Sequence, residues 1–205
     1  MYKFWGQSDA SVSFCEKPYK KSPYIAEFYN TLSASAYFLV GLFFSFTKLK
    51  KIGYTLIFLS IGTAILHGTQ RYYGQILDES SMLFLSFFII EELRKLLDKY
   101  TNYFILSAII GLYLSTYTVF SVFLFVFVSS QIYIVYLVKR VLKKRQITNI
   151  KLLLINSYLI MLSLSTVCWL LDQYMCTSVE HLNLHAFWHV GTAIAVFLGL
   201  LFLVI

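Results

Sequence analysis

Proline is nearly absent: the 205 residues hold two, Pro18 and Pro23, both ahead of the first long apolar run. No later helix is therefore interrupted by a ring that removes a backbone donor. Charge is scarce too, at 13% of residues against 59% hydrophobic, with a mean hydropathy of +0.70. A soluble domain needs a polar shell that this composition does not provide. Low-complexity tracts, long linkers and clear internal repeats are also missing. Residues 1–205 are accordingly expected to form a single domain, with residues 1–30 as an extramembrane amino-terminal segment. Its first 24 residues, "MYKFWGQSDASVSFCEKPYKKSPY", have no continuous apolar core of the kind a cleavable signal needs, so the first span is expected to direct insertion.

What is present is a series of apolar runs near 20 residues long, the length that crosses a bilayer as a helix. Hydropathy and breakers predict spans at 31–47, 53–69, 78–93, 102–118, 120–138, 152–172 and 186–204. The fold class is an all-α membrane protein, a bundle of about seven transmembrane helices. The stretch from Ile105 to Val138 is nearly continuous and is divided around Ser115 to Tyr117 by length alone. Twelve Lys and Arg follow spans 1, 3 and 5, against five on the opposite side. The positive-inside rule then puts the amino terminus outside or in a lumen and the carboxyl terminus in the cytoplasm. The net charge of +7 reflects this topology and anionic lipid headgroups; it is not read as a nucleic-acid surface.

The few ionisable groups near membrane depth collect at one level. His67 closes span 2, Asp78 and Glu79 open span 3, Asp172 closes span 6, and His185 and His189 open span 7, all toward the outer side. Such groups are costly unless they pair, line water or bind an ion. His185 and His189 stand one helical turn apart, so both rings leave one face and can reach one ion. With His67 as a third ligand and a fourth position open, the set has the composition of a catalytic zinc site. A proton relay, or two satisfied interfacial histidines, is the competing reading. Asp78, read mainly as part of the cluster, has a helix cap or dipole partner as its lesser alternative, and Glu79 is read as such a partner, pointing away from the cluster. Thr63 precedes His67 by four and shares its face, although a membrane-helix threonine usually back-bonds its own helix. Asp172 is read either as a partner that orients a histidine or as an interfacial carboxylate.

Four stretches carry a family resemblance: "FWG" followed by "FCEKPY", "YIAEFYNTLS", "GTAILHGTQRYYGQILDES" and "HAFWHVGT". They resemble the alkaline ceramidase family, within a superfamily of seven-helix membrane hydrolases and receptors that share an S-x-x-x-H, Asp, H-x-x-x-H zinc pattern. The likeness runs from Trp5 to Thr192, and "YIAEFYNTLS", near the family's I-A-E-F-x-N-T, is its most specific piece. It implies hydrolysis of the amide bond of ceramide or a similar long-chain N-acyl lipid, giving a fatty acid and a sphingoid base. It implies His67, His185 and His189 as zinc ligands and Asp78 as the carboxylate beside the metal's water. Zinc- and lipid-binding without turnover, as in a receptor-like or scaffold member, is the alternative, and an ion or proton transporter a third class. The site is expected near the lumenal or periplasmic side of a multi-pass integral membrane protein, with the bilayer and a ceramide-like lipid as partners.

The chain departs from the family pattern twice. Thr63 stands where the family has Ser; its hydroxyl can still donate, but the extra methyl narrows the pocket. At the family's calcium site Glu16 and Glu27 match ligands and Phe14 would offer its backbone carbonyl, whereas Ser13 and Pro18 replace an Asp and an Asn. Calcium takes six to eight oxygens, so it is expected to bind poorly or not at all, with a lysine or Asp9 partly substituting. Cys15 and Cys176 match cysteines of the family motifs on the outer side and are expected to form a disulfide. Cys168 is expected to be a packing residue.

Overall fold

The computed structural model describes residues 4–100, 103, 107, 110, 111, 113 and 119–205. Among them there is no strand, and the helices are α1 (Phe28–Ser33), α2 (Ser35–Ser45), α3 (Lys50–Thr69), α4 (Tyr72–Leu96), α5 (Phe120–Lys144), α6 (Asn149–Tyr174), α7 (Cys176–Val179) and α8 (Leu184–Val204). A 3-10 turn, Glu180–Leu182, separates α7 from α8. The expected span 102–118 and its boundary at 115–117 lie outside the described residues, apart from a few positions. By length and apolarity, α3, α5, α6 and α8 can each cross a membrane. Helices satisfy their backbone groups internally, which is what a hydrocarbon solvent demands. The hydroxyls within them follow suit by bonding the carbonyl four residues back, as Thr55, Ser86, Ser165 and Thr192 do.

The first expected span is broken into two pieces. Between α1 and α2 the Ala34 carbonyl accepts both the Tyr37 amide, at 3.1 Å, and the Ser60 hydroxyl of α3, at 2.9 Å. The third expected span begins two turns early, at Tyr72, because Asp9 of the amino-terminal segment accepts the Tyr72 amide at 2.6 Å. This corrects the reading of Asp78 and Glu79 as caps: both lie beyond the first turn, where backbone amides already have helical partners. The basic ends of α4 and α5 extend past the apolar runs. Arg145 and Lys144 there accept the role of caps for α4 by donating to the carbonyls of Leu96 and Leu97.

Close helix contact organises the site. α3 and α4 run antiparallel, joined by Gln70 in the left-handed conformation and Arg71. At two crossings only a glycine fits: a Cβ on Gly62 would stand 2.7 Å from the Asp78 amide nitrogen, and one on Gly74 2.6 Å from that of Leu66. The neighbours of these glycines, Thr63 and His67 on one helix and Asp78 on the other, are thereby drawn together. α6 packs along α8, and α5 packs on α4. The main apolar core joins α2, α3, α4 and α8 through residues such as Phe44, Leu56, Leu85 and Leu200. A second joins the far ends of α4, α5, α6 and α8 around Leu93, Leu137, Val141 and Phe202.

Candidate metal centre

The end of α3 and the start of α8 bring His67, His185 and His189 into one buried cluster, with a nitrogen from each lying within 4.8 Å of the others. The imidazoles are 1%, 3% and 4% exposed, so water does not satisfy them from outside. His185 and His189 project from the same face of α8, with ring centroids 4.6 Å apart; His67 reaches them at 5.0 and 4.9 Å. Protein groups hold the far side of two rings. Glu27 Oε2 lies 2.5 Å from His67 Nδ1, and Ser33 Oγ lies 2.8 Å from His189 Nδ1. Both rings therefore turn Nε2 inward. His185 Nδ1 is buried without a hydrogen-bond partner among the described residues, 4.0 Å from Asp172 Oδ2. Three inward imidazoles, backed by a carboxylate, a hydroxyl and a nearby second carboxylate, form a donor set that suits a zinc-type ion with one coordination position left open.

Asp78 stands across from this cluster and takes the Thr63 hydroxyl as a hydrogen-bond donor. Thr63, His185, His189 and Asp78 all line one cavity of about 290 Å³, with Val12 and Phe14 of the amino-terminal segment in its wall. The Phe14 ring packs on His185 and His67, with centroids 4.0 and 4.7 Å apart. Along α4 the cavity passes from Asp78 to Leu93, roughly 22 Å at 1.5 Å per residue. That exceeds one leaflet's share, about 15 Å, of a hydrocarbon core near 30 Å thick. Its walls away from the histidines are largely apolar, with Phe123 and Phe127 from α5 and Tyr158 and Leu162 from α6 among them.

The structure brings several further groups to the site. Tyr37 of α2 lines the cavity, and its hydroxyl pairs with Thr192 at 2.6 Å beside His189. Glu79, read from the sequence as pointing away, is instead 2% exposed and lines the same cavity, with Gln75 and Tyr113 donating to it at 2.7 and 2.8 Å. Asp172 accepts the Cys15 amide at 3.2 Å as well as standing near His185. Trp188, set between the two histidines, packs against Trp169, and both border the cavity.

Glu16 and Glu27 come together under the amino-terminal segment, but each oxygen already meets a protein donor. Glu16 accepts the Tyr29 and Asn30 amides at 2.8 and 2.9 Å. Burial pushes its carboxyl above the ordinary value, while those two amides pull it down. Glu27 accepts Gln70 on Oε1 at 2.9 Å, and His67 and the Asn30 side chain on Oε2. Asp9 does not take the place of a missing ligand here: it pairs with Arg71 at 2.8 Å and caps α4. Lys17 likewise pairs with Glu180, at 2.8 Å. A disulfide joins Cys15 to Cys176, tying the amino-terminal segment to the turn ahead of α8. Cys168 is a free thiol on α6.

The family model of the ceramidases matches residues 6–205. The chain belongs to the ceramidase family. Its similarity to alkaline ceramidase YPC1 of Saccharomyces cerevisiae is 34% identity over 88 residues, covering 39% of this chain and 28% of the yeast protein. Longer matches are to the putative alkaline ceramidase dcd3A of Dictyostelium discoideum, 23% identical over 98% of this chain and 87% of that one. Alkaline ceramidase 1 of Mus musculus is 26% identical over 93% of this chain and 77% of its own length. The match takes in the cluster of three histidines, Asp78 and the amino-terminal segment that covers them.

Proposed function

We propose that this ceramidase-family chain hydrolyses the amide bond of ceramide or a closely similar long-chain N-acyl lipid, with zinc held by His67, His185 and His189. The observation that carries the reading is the meeting of three inward buried imidazoles with Asp78 at the head of a long apolar cavity. When bound there, zinc supplies polarisation of the amide carbonyl and lowers the pKa of a water to about 7. Glu27 and Ser33 fix the tautomers of His67 and His189, keeping Nε2 of each free to ligate. Asp78 takes a proton from the attacking water as the oxygen bonds to the carbonyl carbon. It then delivers that proton to the nitrogen as the carbon–nitrogen bond breaks, so one water is consumed and a fatty acid and an amine leave. The Thr63 hydroxyl, donating to Asp78, orients this carboxylate.

The apolar walls below Asp78 receive alkyl chain, and Phe14 shields the reacting end from bulk water. The basic residues at the ends of α4 and α5 lie at the opposite pole from the histidines. By the positive-inside rule the chemistry then faces the lumenal or periplasmic side of a seven-span protein.

Fatty-acid release from a panel of ceramides by detergent-purified protein, beside Asp78→Asn, tests the reading. Release by the wild type and a loss of about 100-fold or more in the variant, with zinc retained, is the expected outcome. Tight ceramide binding by zinc-loaded wild type without any release would instead favour the receptor-like alternative.

A further inference from the structure

Glu79 is a buried carboxylate that the hydrolytic scheme does not use. It follows Asp78 on α4 and lines the same cavity, yet the two side chains serve different neighbours: Asp78 takes Thr63 of α3, while Glu79 takes Gln75 and Tyr113. Among the described residues no Lys, Arg or His forms an ion pair with Glu79. By contrast Glu91, also on α4, has Lys95 at 3.1 Å. An ionisable group held at this depth without a cation is expensive, and two neutral donors alone would be met as well by an uncharged acceptor. Its location next to the reacting carboxylate, inside the cavity, says what the remaining acceptor capacity is for.

We propose that Glu79 recognises the amine half of the substrate, accepting hydrogen bonds from its hydroxyl groups and, after cleavage, pairing with the ammonium of the released amine. This rests on the amide-hydrolase reading above. A carboxylate offers about four acceptor sites and no donor. Gln75 occupies one on Oε1 and Tyr113 one on Oε2, which leaves one on each oxygen. The complementary ligand is therefore rich in donors, as a long-chain 2-amino-1,3-diol is, and a fatty acid is not. Gln75 in turn accepts the Ser11 amide at 2.7 Å and donates to its hydroxyl at 2.6 Å, so the segment covering the site sets the position of Glu79. With the scissile amide at Asp78, the next residue along the helix meets the atoms next to the nitrogen, and the alkyl chains follow the apolar wall downward.

Two measurements on the full-length protein in detergent test this. The first is equilibrium binding of a long-chain 2-amino-1,3-diol and of a fatty acid of equal length to wild type and Glu79→Gln. The second is kcat/KM for two N-acyl amides of equal chain length, one with and one without hydroxyls on the amine half. Glu79→Gln is expected to weaken amino-diol binding about 10- to 100-fold and leave fatty-acid binding within threefold, as for loss of a charged hydrogen-bond partner. It is expected to cut kcat/KM on the hydroxylated amide by a similar factor and on the plain amide by less than threefold. Should Glu79→Gln fail to fold, Glu79→Asp, which withdraws the carboxylate by one methylene, reads the same split. Equal losses with both ligands, or none with the amino diol, would overturn the proposal. If wild type cleaves neither amide while amino-diol binding still depends on Glu79, the hydrolase reading falls and the recognition role stands.

Discussion

Glu27→Gln separates two roles for one carboxylate. As a calcium ligand, which the resemblance implies, its loss would leave zinc affinity alone. As the residue that holds His67, its loss should weaken the metal centre. Three donors converge on it: His67 Nδ1 at 2.5 Å, the Asn30 side chain at 3.1 Å and Gln70 at 2.9 Å. A glutamine amide offers one oxygen, enough for His67 and Asn30, and then turns its own NH2 toward the Gln70 donor. One unmet buried donor costs about 1–3 kcal/mol of stability. The lost negative charge behind His67 costs about 10- to 100-fold in metal affinity, roughly 1.4–2.7 kcal/mol. Competition against a chromophoric zinc chelator, with wild type alongside, measures this directly. Unchanged zinc affinity in Glu27→Gln would refute the reasoning, and a simultaneous loss of calcium binding would assign the residue to calcium.

Gly62→Ala puts a Cβ 2.7 Å from the Asp78 amide nitrogen, where backbone cannot yield, so α4 must move and the Thr63–Asp78 bond must open; activity is expected to fall at least tenfold with zinc content unchanged, by assay and metal analysis. Thr63→Ser keeps the donor and is expected to retain activity within about threefold, whereas Thr63→Ala should lose about tenfold or more, matching one hydrogen bond to a charged group. Calcium titration is expected to leave the melting temperature unchanged, because Ser13 and Pro18 supply neither the carboxylate nor the amide oxygen that a site of six to eight oxygens needs. Lys144, with Arg145, holds the Asp98 carboxyl below its ordinary value. Its contribution to stability is therefore present above the ordinary carboxylate range and lost as pH falls through the lowered value. Asp98→Asn should melt slightly below wild type at pH 7, and the gap should close below about pH 4.

Hydropathy located the apolar middles of the helices and missed their polar ends. The run expected at 120–138 continues as helix to Lys144, because long basic side chains can leave the bilayer while their backbone stays helical. The run expected at 78–93 starts at Tyr72, since its first turns are polar and their cap, Asp9, lies 63 residues away in sequence. His185 and His189 were readable as a pair because helical spacing is local. The meeting of His67 with Glu27, 40 residues apart, and of Glu79 with Tyr113, 34 apart, depends on packing between helices that no local pattern encodes. Glu79 turns to other partners than Asp78, as its place in the sequence suggests, but its lining of the same cavity is again a matter of packing between helices.

The measurement that tests the account most directly is zinc titration of metal-stripped protein, with ceramide hydrolysis and bound zinc followed together in wild type and His185→Ala. The account predicts no release from stripped wild type, recovery that is complete at one zinc per chain, and neither tight zinc nor release in His185→Ala. Full activity in metal-free protein, or in a His185→Ala variant that has lost its zinc, would contradict it.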